Sequence, residues 1–140
     1  MKLTDRGRAL AVAVAVGVAV NGWGSVGGSV AQAEPEVPGT NPLSGNAKAI
    51  ADGRSWYRNV CSNCHGGRAD GGDRGQGADL RVFNKGFGKF VATVKSGKET
   101  GRAMEMPAWG GVLNDETIYQ IGAYLETLAK EGADWGEPTK

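Results

Sequence analysis

From Asn46 onward, Ala47, Ile50, Gly53, Tyr57 and Val60 recur at intervals of three and four, which puts one stripe on a helix running into Cys61. Phe87, Phe90, Val91 and Val94 mark a second, shorter helix closed by Gly97. Ile118, Ile121, Leu125 and Leu128 mark a third, ending before Gly132. Asn114 is placed to cap it, and Asp115 and Glu116 stand in its first turn, where the helix dipole favours acids. No polar–apolar alternation is long enough for a strand, and there is no internal repeat. The pattern predicts an all-α domain of at least three helices over residues 46–132. Before it, the prolines of residues 34–45 predict an extended arm, and residues 133–140 form a C-terminal tail. Residues 66–79 hold Gly66, Gly67, Gly71, Gly72, Gly75 and Gly77 among charged residues and predict a surface loop.

The chain begins differently. Lys2, Arg6 and Arg8 precede an apolar run over residues 9–20, and Ala31-Gln32-Ala33 follows a Gly/Ser-rich stretch. The run has 12 residues, short of the roughly 20 that span a bilayer as a helix. Residues 1–33 therefore predict a cleaved secretory signal, export to the periplasm and no stable membrane anchor. Gly22-Trp23-Gly24-Ser25-Val26-Gly27 has the spacing of a dinucleotide-binding turn, but Gly28, Pro35, Pro38 and Pro42 follow where that motif needs a helix.

Composition narrows the chemistry. The 140 residues allow one ordinary domain, and 16 basic against 15 acidic residues give no global pull toward nucleic acid. Removing residues 1–33 takes three basic residues and one acid, leaving 13 against 14. Residues 81–104 carry Arg81, Lys85, Lys89, Lys95, Lys98 and Arg102 with Glu99 as the one acid, while residues 105–140 carry seven acids and two lysines. That gradient suits either solvated helix faces or steering of an acidic partner. With 24 glycines and few aromatics the chain has little bulk of its own to fill a core. A single histidine makes conventional triad hydrolysis a poor fit.

That histidine stands in Cys61-Ser62-Asn63-Cys64-His65, the spacing for covalent attachment of a c-type haem. On a helical turn, thiols at i and i+3 share one side and can add to two vinyl groups, while the next residue aims its imidazole at the iron. Three other readings use the same residues. A thiol–disulfide oxidoreductase normally carries its Cys-x-x-Cys after a strand, which is missing here. Structural zinc needs a second pair of ligands, and there is no other Cys or His. A Cys61–Cys64 disulfide would close too short a loop to stabilise much. With haem bound, the iron is closed by a second ligand for electron transfer or left open for enzyme or gas-binding chemistry. The available soft ligands are Met106 and, as alternative, Met104. Pro107 stiffens the backbone after Met106 in an extended form, which favours Met106.

These residues together resemble a class I c-type cytochrome over roughly residues 44–130. Gly53 and Tyr57 resemble the family's glycine and aromatic on the first helix, and Ile121 and Tyr124 resemble their partners on the last. Met106-Pro107-Ala108-Trp109-Gly110-Gly111 resembles the axial-ligand loop and Leu80 resembles a haem-packing leucine, while Trp109 suits the protein core first, with packing on the haem or an indole N–H directed to a propionate as the alternatives. The family often has a proline after the loop glycine, whose carbonyl supports the ligand histidine; here Ala78 follows Gly77. The resemblance implies helices wrapped around one haem c per chain, His65 and Met106 as iron ligands, and a monomeric electron carrier rather than an enzyme. From Asn41 through the Trp109 loop the chain is similar to small cytochromes serving quinoprotein methanol or alcohol dehydrogenases. That likeness implies such a dehydrogenase as donor, a downstream cytochrome or terminal oxidase as acceptor, and a place in methanol metabolism.

Overall fold

The computed structural model describes residues 36–72, 76–101 and 104–136. The expected signal segment, residues 1–33, lies outside them. Among the described residues there are four helices, α1 (Ala47–Val60), α2 (Ser62–His65), α3 (Phe87–Ser96) and α4 (Asp115–Glu126), with one 3-10 turn at Leu80–Val82. Among the described residues the only extended pairings are isolated bridges, Asp70 with Asp79 and Lys98 with Met106. No helix among them is long and apolar enough to cross a membrane.

The helix ends follow from their side chains. Asn46 Oδ1 accepts from Ala49 N at 3.0 Å, and Asn114 Oδ1 accepts from Thr117 N at 2.9 Å, each satisfying a backbone donor left over at a helix start. Gly97 ends α3 at φ +73°, a conformation that favours glycine.

The defining contact is the crossing of α1 over α4. A Cβ on Gly53 would run into the Gln120 carbonyl and come within 2.9 Å of Ile121 N. The two backbones therefore touch, and only a residue without a side chain fits between them. Tyr57, one turn further along α1, is fully buried, with its ring 5.5 Å from that of Tyr124. On the other side of α4, Gly122 admits Phe87 and Phe90 of α3 and the amide of Asn41. Phe87, Val91, Ile118, Ile121 and Leu125 complete the most deeply buried layer.

Two segments outside the predicted helices are more structured than sequence pattern suggested. The arm is not extended throughout. Asn41 is buried, its side chain donates to the Tyr119 carbonyl at 2.9 Å and accepts from Leu43 N at 3.0 Å, and the chain turns there into α1. An asparagine can close a local turn and anchor to a helix at once. Beyond α4, the chain returns across the 3-10 turn. Lys130 N donates to Arg81 O at 2.8 Å, Asp134 N to Phe83 O at 2.8 Å, and Phe87 N to Trp135 O at 2.9 Å. Trp135 thereby sits against Phe83 and Phe90, at ring centroid distances of 5.0 and 5.2 Å. Residues 133–136 of the expected tail are thus packed on the domain.

The 3-10 turn is itself fastened. Asp79 Oδ1 accepts from Arg81 N at 2.9 Å, and its carboxylate takes the Arg81 guanidinium at 2.9 and 2.7 Å. The guanidinium holds the Asp79 carboxyl down from 3.8 to about 2.

Two outcomes follow. Gly53→Ala should destabilise the holoprotein by about 3 kcal/mol or more, since neither backbone can yield without separating α1 from α4; denaturant titration measures it. Asp79 is more acidic folded than unfolded, so its stabilisation is complete above the unfolded pKa of 3.8 and is lost as pH falls toward about 2. Asp79→Asn should lower stability at neutral pH and flatten the acid loss between those values, read by circular dichroism.

Candidate haem-binding site

Cys61 is delivered by the end of α1, its N–H donating to Tyr57 O at 2.9 Å. Cys64 N and His65 N both return to Cys61 O, at 3.2 and 3.0 Å, and Gly66 N to Ser62 O at 2.9 Å. Residues 61–66 therefore form one helical turn, as the spacing of the motif requires. Gly66 ends it at φ +80°, where a Cβ would meet Gly72 N at 2.8 Å. The buried Tyr57 hydroxyl donates to Gly66 O at 2.6 Å and ties the turn back to α1. Burial also pushes the Tyr57 phenol above its ordinary range, so it stays a donor.

Cys61 and Cys64 are both half-buried free thiols. Burial first, and the neighbouring Cys64 second, push the Cys61 thiol up to about 12. A thiol–disulfide oxidoreductase needs the opposite, a thiol drawn down toward ambient pH. Among the described residues no group of three or more His, Cys, Asp and Glu gathers as a metal site, so the zinc reading has no donor set either.

His65 is fixed by a backbone acceptor. Its Nδ1 lies 2.9 Å from the Ala78 carbonyl oxygen. A carbonyl only accepts, so Nδ1 carries the proton and Nε2 is left with a free lone pair, the form that ligates a metal. Gly77 makes the approach possible: a Cβ there would lie 2.7 Å from His65 Nδ1 and 2.6 Å from Cys64 O. The carbonyl that the family often takes from a proline is supplied here by Ala78.

The methionine loop is held at its base. Lys98 N donates to Met106 O at 2.9 Å and Met106 N to Lys98 O at 3.1 Å, while Trp109 N donates to Val94 O at 2.9 Å. A Cβ on Gly97 would meet Met106 O at 2.6 Å, so the end of α3 lies directly on this loop. Met106, Trp109 and Leu80 are half-buried against the core, whereas Met104 is 47% exposed. Of the two methionines, Met106, which the sequence favoured, is thus the more sheltered.

Tested against haem c, these residues fit. The turn offers two free thiols and an imidazole whose tautomer is fixed, and Met106 turns inward from a pinned loop. Elsewhere, beside Phe83 and Phe90, the indole Nε1 of Trp135 is buried with no acceptor among the described residues. Sequence pattern did not single out Trp135 or the Asp79–Arg81 pair, and it reached Ala78 only through the resemblance, as the place of an expected proline. Only the side chains of Asp79 and Trp135 carried any signal, as a cap and as a large aromatic in a presumed tail.

Comparison with known proteins points the same way. The family model described as "Cytochrome C oxidase, cbb3-type, subunit III" matches residues 48–125. A cbb3-type cytochrome c oxidase subunit CcoP from Azospirillum sp. (strain B510) is 36% identical over 93 residues, which is 63% of this chain and 31% of the relative. The CcoP subunit of Azospirillum brasilense is 30% identical over 121 residues, 81% of this chain and 41% of the relative. The chain therefore spans less than half the length of these curated relatives. Among solved structures, cytochrome CL from the marine methylotrophic bacterium Methylophaga aminisulfidivorans MPT superimposes with a TM-score of 0.52 at 21% identity, covering 72% of each chain. The c-type cytochrome XoxG of Methylobacterium extorquens AM1 gives 0.51 at 21% identity, covering 66% of this chain and 57% of that one. These two share the cytochrome c fold. The chain belongs to the cbb3-type cytochrome c oxidase subunit III family: it is a class I c-type cytochrome domain, an electron carrier with covalently bound haem c.

Proposed function

We propose that Cys61 and Cys64 would hold haem c through thioethers, that His65 and Met106 would ligate its iron, and that the chain shuttles single electrons in the periplasm. The observation that carries this reading is the fixed tautomer of His65, whose Nδ1–H is committed to Ala78 O at 2.9 Å. When bound, haem c supplies an iron that exchanges one electron between its ferrous and ferric states. The chain's residues hold that site still. The carbonyl of the Ala78–Asp79 peptide orients His65, the two-way pairing with Lys98 holds the backbone of Met106, and Pro107 keeps that backbone extended. A thioether ligand beside the imidazole would favour the less charged ferrous iron, which suits an acceptor of electrons. Leu80 and Trp109 pack the haem, and the buried aromatic layer keeps water away from it.

The basic segment is only partly free to meet a partner. Arg81 is engaged by Asp79, and Lys95 Nζ lies 2.6 Å from Asp115. Lys85, Lys89 and Lys98 are exposed, so steering of an acidic donor falls to them. For the donor we propose a quinoprotein methanol or alcohol dehydrogenase, on the likeness of residues 41–109 to cytochromes serving such enzymes. The CcoP relatives favour a second reading, in which the chain delivers electrons to, or works within, a cbb3-type terminal oxidase. Reconstitution separates the partners: reduction by the dehydrogenase with substrate tests the first, and oxidation by oxidase-containing membranes tests the second.

Met106→Leu should abolish the ferric absorption band that arises from thioether-to-iron charge transfer, while Met104→Leu should keep it. Ready binding of carbon monoxide by the unaltered protein would instead mark an open site, and two titratable thiols without haem would mark an oxidoreductase. Lys85→Glu with Lys89→Glu should slow electron exchange with an acidic donor on the order of tenfold at low salt. The difference should vanish at high salt.

A further inference from the structure

We propose that the Asp79–Arg81 pair is a positioning clasp for His65, fixing the Ala78 carbonyl so that it accepts strongly from the imidazole and thereby favours the ferric state of the iron. The proposal rests on the reading of His65 as an iron ligand. The Ala78 oxygen lies in the peptide that joins Ala78 to Asp79, and rotation of that peptide is coupled to the φ of Asp79, which is −69°. Whatever holds Asp79 therefore aims the carbonyl.

Asp79 is held unusually well. Capping a three-residue turn needs one backbone donor, and Arg81 N supplies it at 2.9 Å. The same carboxylate also receives Arg81 Nε at 2.9 Å and Nη2 at 2.7 Å, a forked, charge-assisted arrangement stronger and more directional than the cap alone. Both side chains are largely sheltered, at 32% and 21% exposure. Backbone bonds fix the flanks: Leu80 N donates to Ala69 O at 2.8 Å, and Lys130 N to Arg81 O at 2.8 Å. On the near side, Gly77 lies too close to the imidazole for any Cβ. The carbonyl is thus pressed toward His65 from one end and aimed from the other. A firmer acceptor at Nδ1 raises the basicity of Nε2, which stabilises the more charged metal.

Two readouts test the clasp in the haem-loaded protein: solvent exchange of the His65 ring N–H, followed by NMR, and the redox equilibrium against a reference couple. Asp79→Ala should speed that exchange tenfold or more and shift the equilibrium toward ferrous iron, up to about tenfold, which is ~59 mV for one electron. Asp79→Asn keeps a capping oxygen but loses the charged fork, so it should speed exchange less than Asp79→Ala and move the equilibrium less. Arg81→Met gives a second route should Asp79→Ala fail to fold. Loss of its positive charge alone would favour ferric iron and leave exchange unchanged, whereas a loosened carbonyl speeds exchange. Unchanged exchange in both Asp79→Ala and Arg81→Met, or the same shift in Asp79→Ala as in Asp79→Asn, would overturn the clasp. Failure of the ligand reading is visible separately, because the His65 ring proton of the unaltered ferric protein would then lack the large shift that a paramagnetic iron imposes.

Discussion

A single hydrogen bond, from the His65 ring to the Ala78 carbonyl, decides what the rest of this structure is for. An imidazole at the end of a short helical turn would otherwise rotate and exchange its proton between two nitrogens. Committing Nδ1 to a backbone acceptor restrains both freedoms and leaves Nε2 outside that bond. Much of the surrounding backbone serves that arrangement. Gly66 stops the turn, the Tyr57 hydroxyl anchors it to α1, and Gly77 lets the acceptor strand approach.

The turn in turn depends on where α1 ends, and α1 is placed by its crossing with α4. Because Gly53 lets two backbones meet, Tyr57 can reach across to Tyr124 while its hydroxyl reaches forward to Gly66. The far side of α4 does the complementary task. Gly122 admits α3, and the end of α3 at Gly97 lies directly on the Met106 loop. One helix thus relates the histidine side to the methionine side through two glycines, each serving a close approach rather than a turn. A glycine-rich chain of this size needs such contacts, since it has few large side chains with which to adjust spacing.

What could be read from sequence was whatever depends on period or on fixed local spacing. Helices α1, α3 and α4 announced themselves through their apolar stripes, and Asn114 and Gly97 marked ends by chemistry that acts within three or four residues. The Cys61–His65 turn was legible for the same reason. Other features depend on chain segments far apart. Asn41 reads as a loop residue until its amide is seen on the Tyr119 carbonyl, and Trp135 reads as tail until it is seen between Phe83 and Phe90. The Ala78 carbonyl carried no side-chain signal at all, because any residue has a carbonyl. Of the two methionines, Met106 was already favoured locally by Pro107, whereas its pairing with Lys98 and its burial depend on contacts that no local spacing carries.

The account is tested most directly by intact mass and optical spectroscopy of the protein matured in a host that attaches haem. It predicts a mass raised by one haem, no free thiol at Cys61 or Cys64, and a red, low-spin chromophore that survives denaturation still joined to the chain. A colourless protein with two titratable thiols, or a haem that extracts freely into acidified organic solvent, would contradict it.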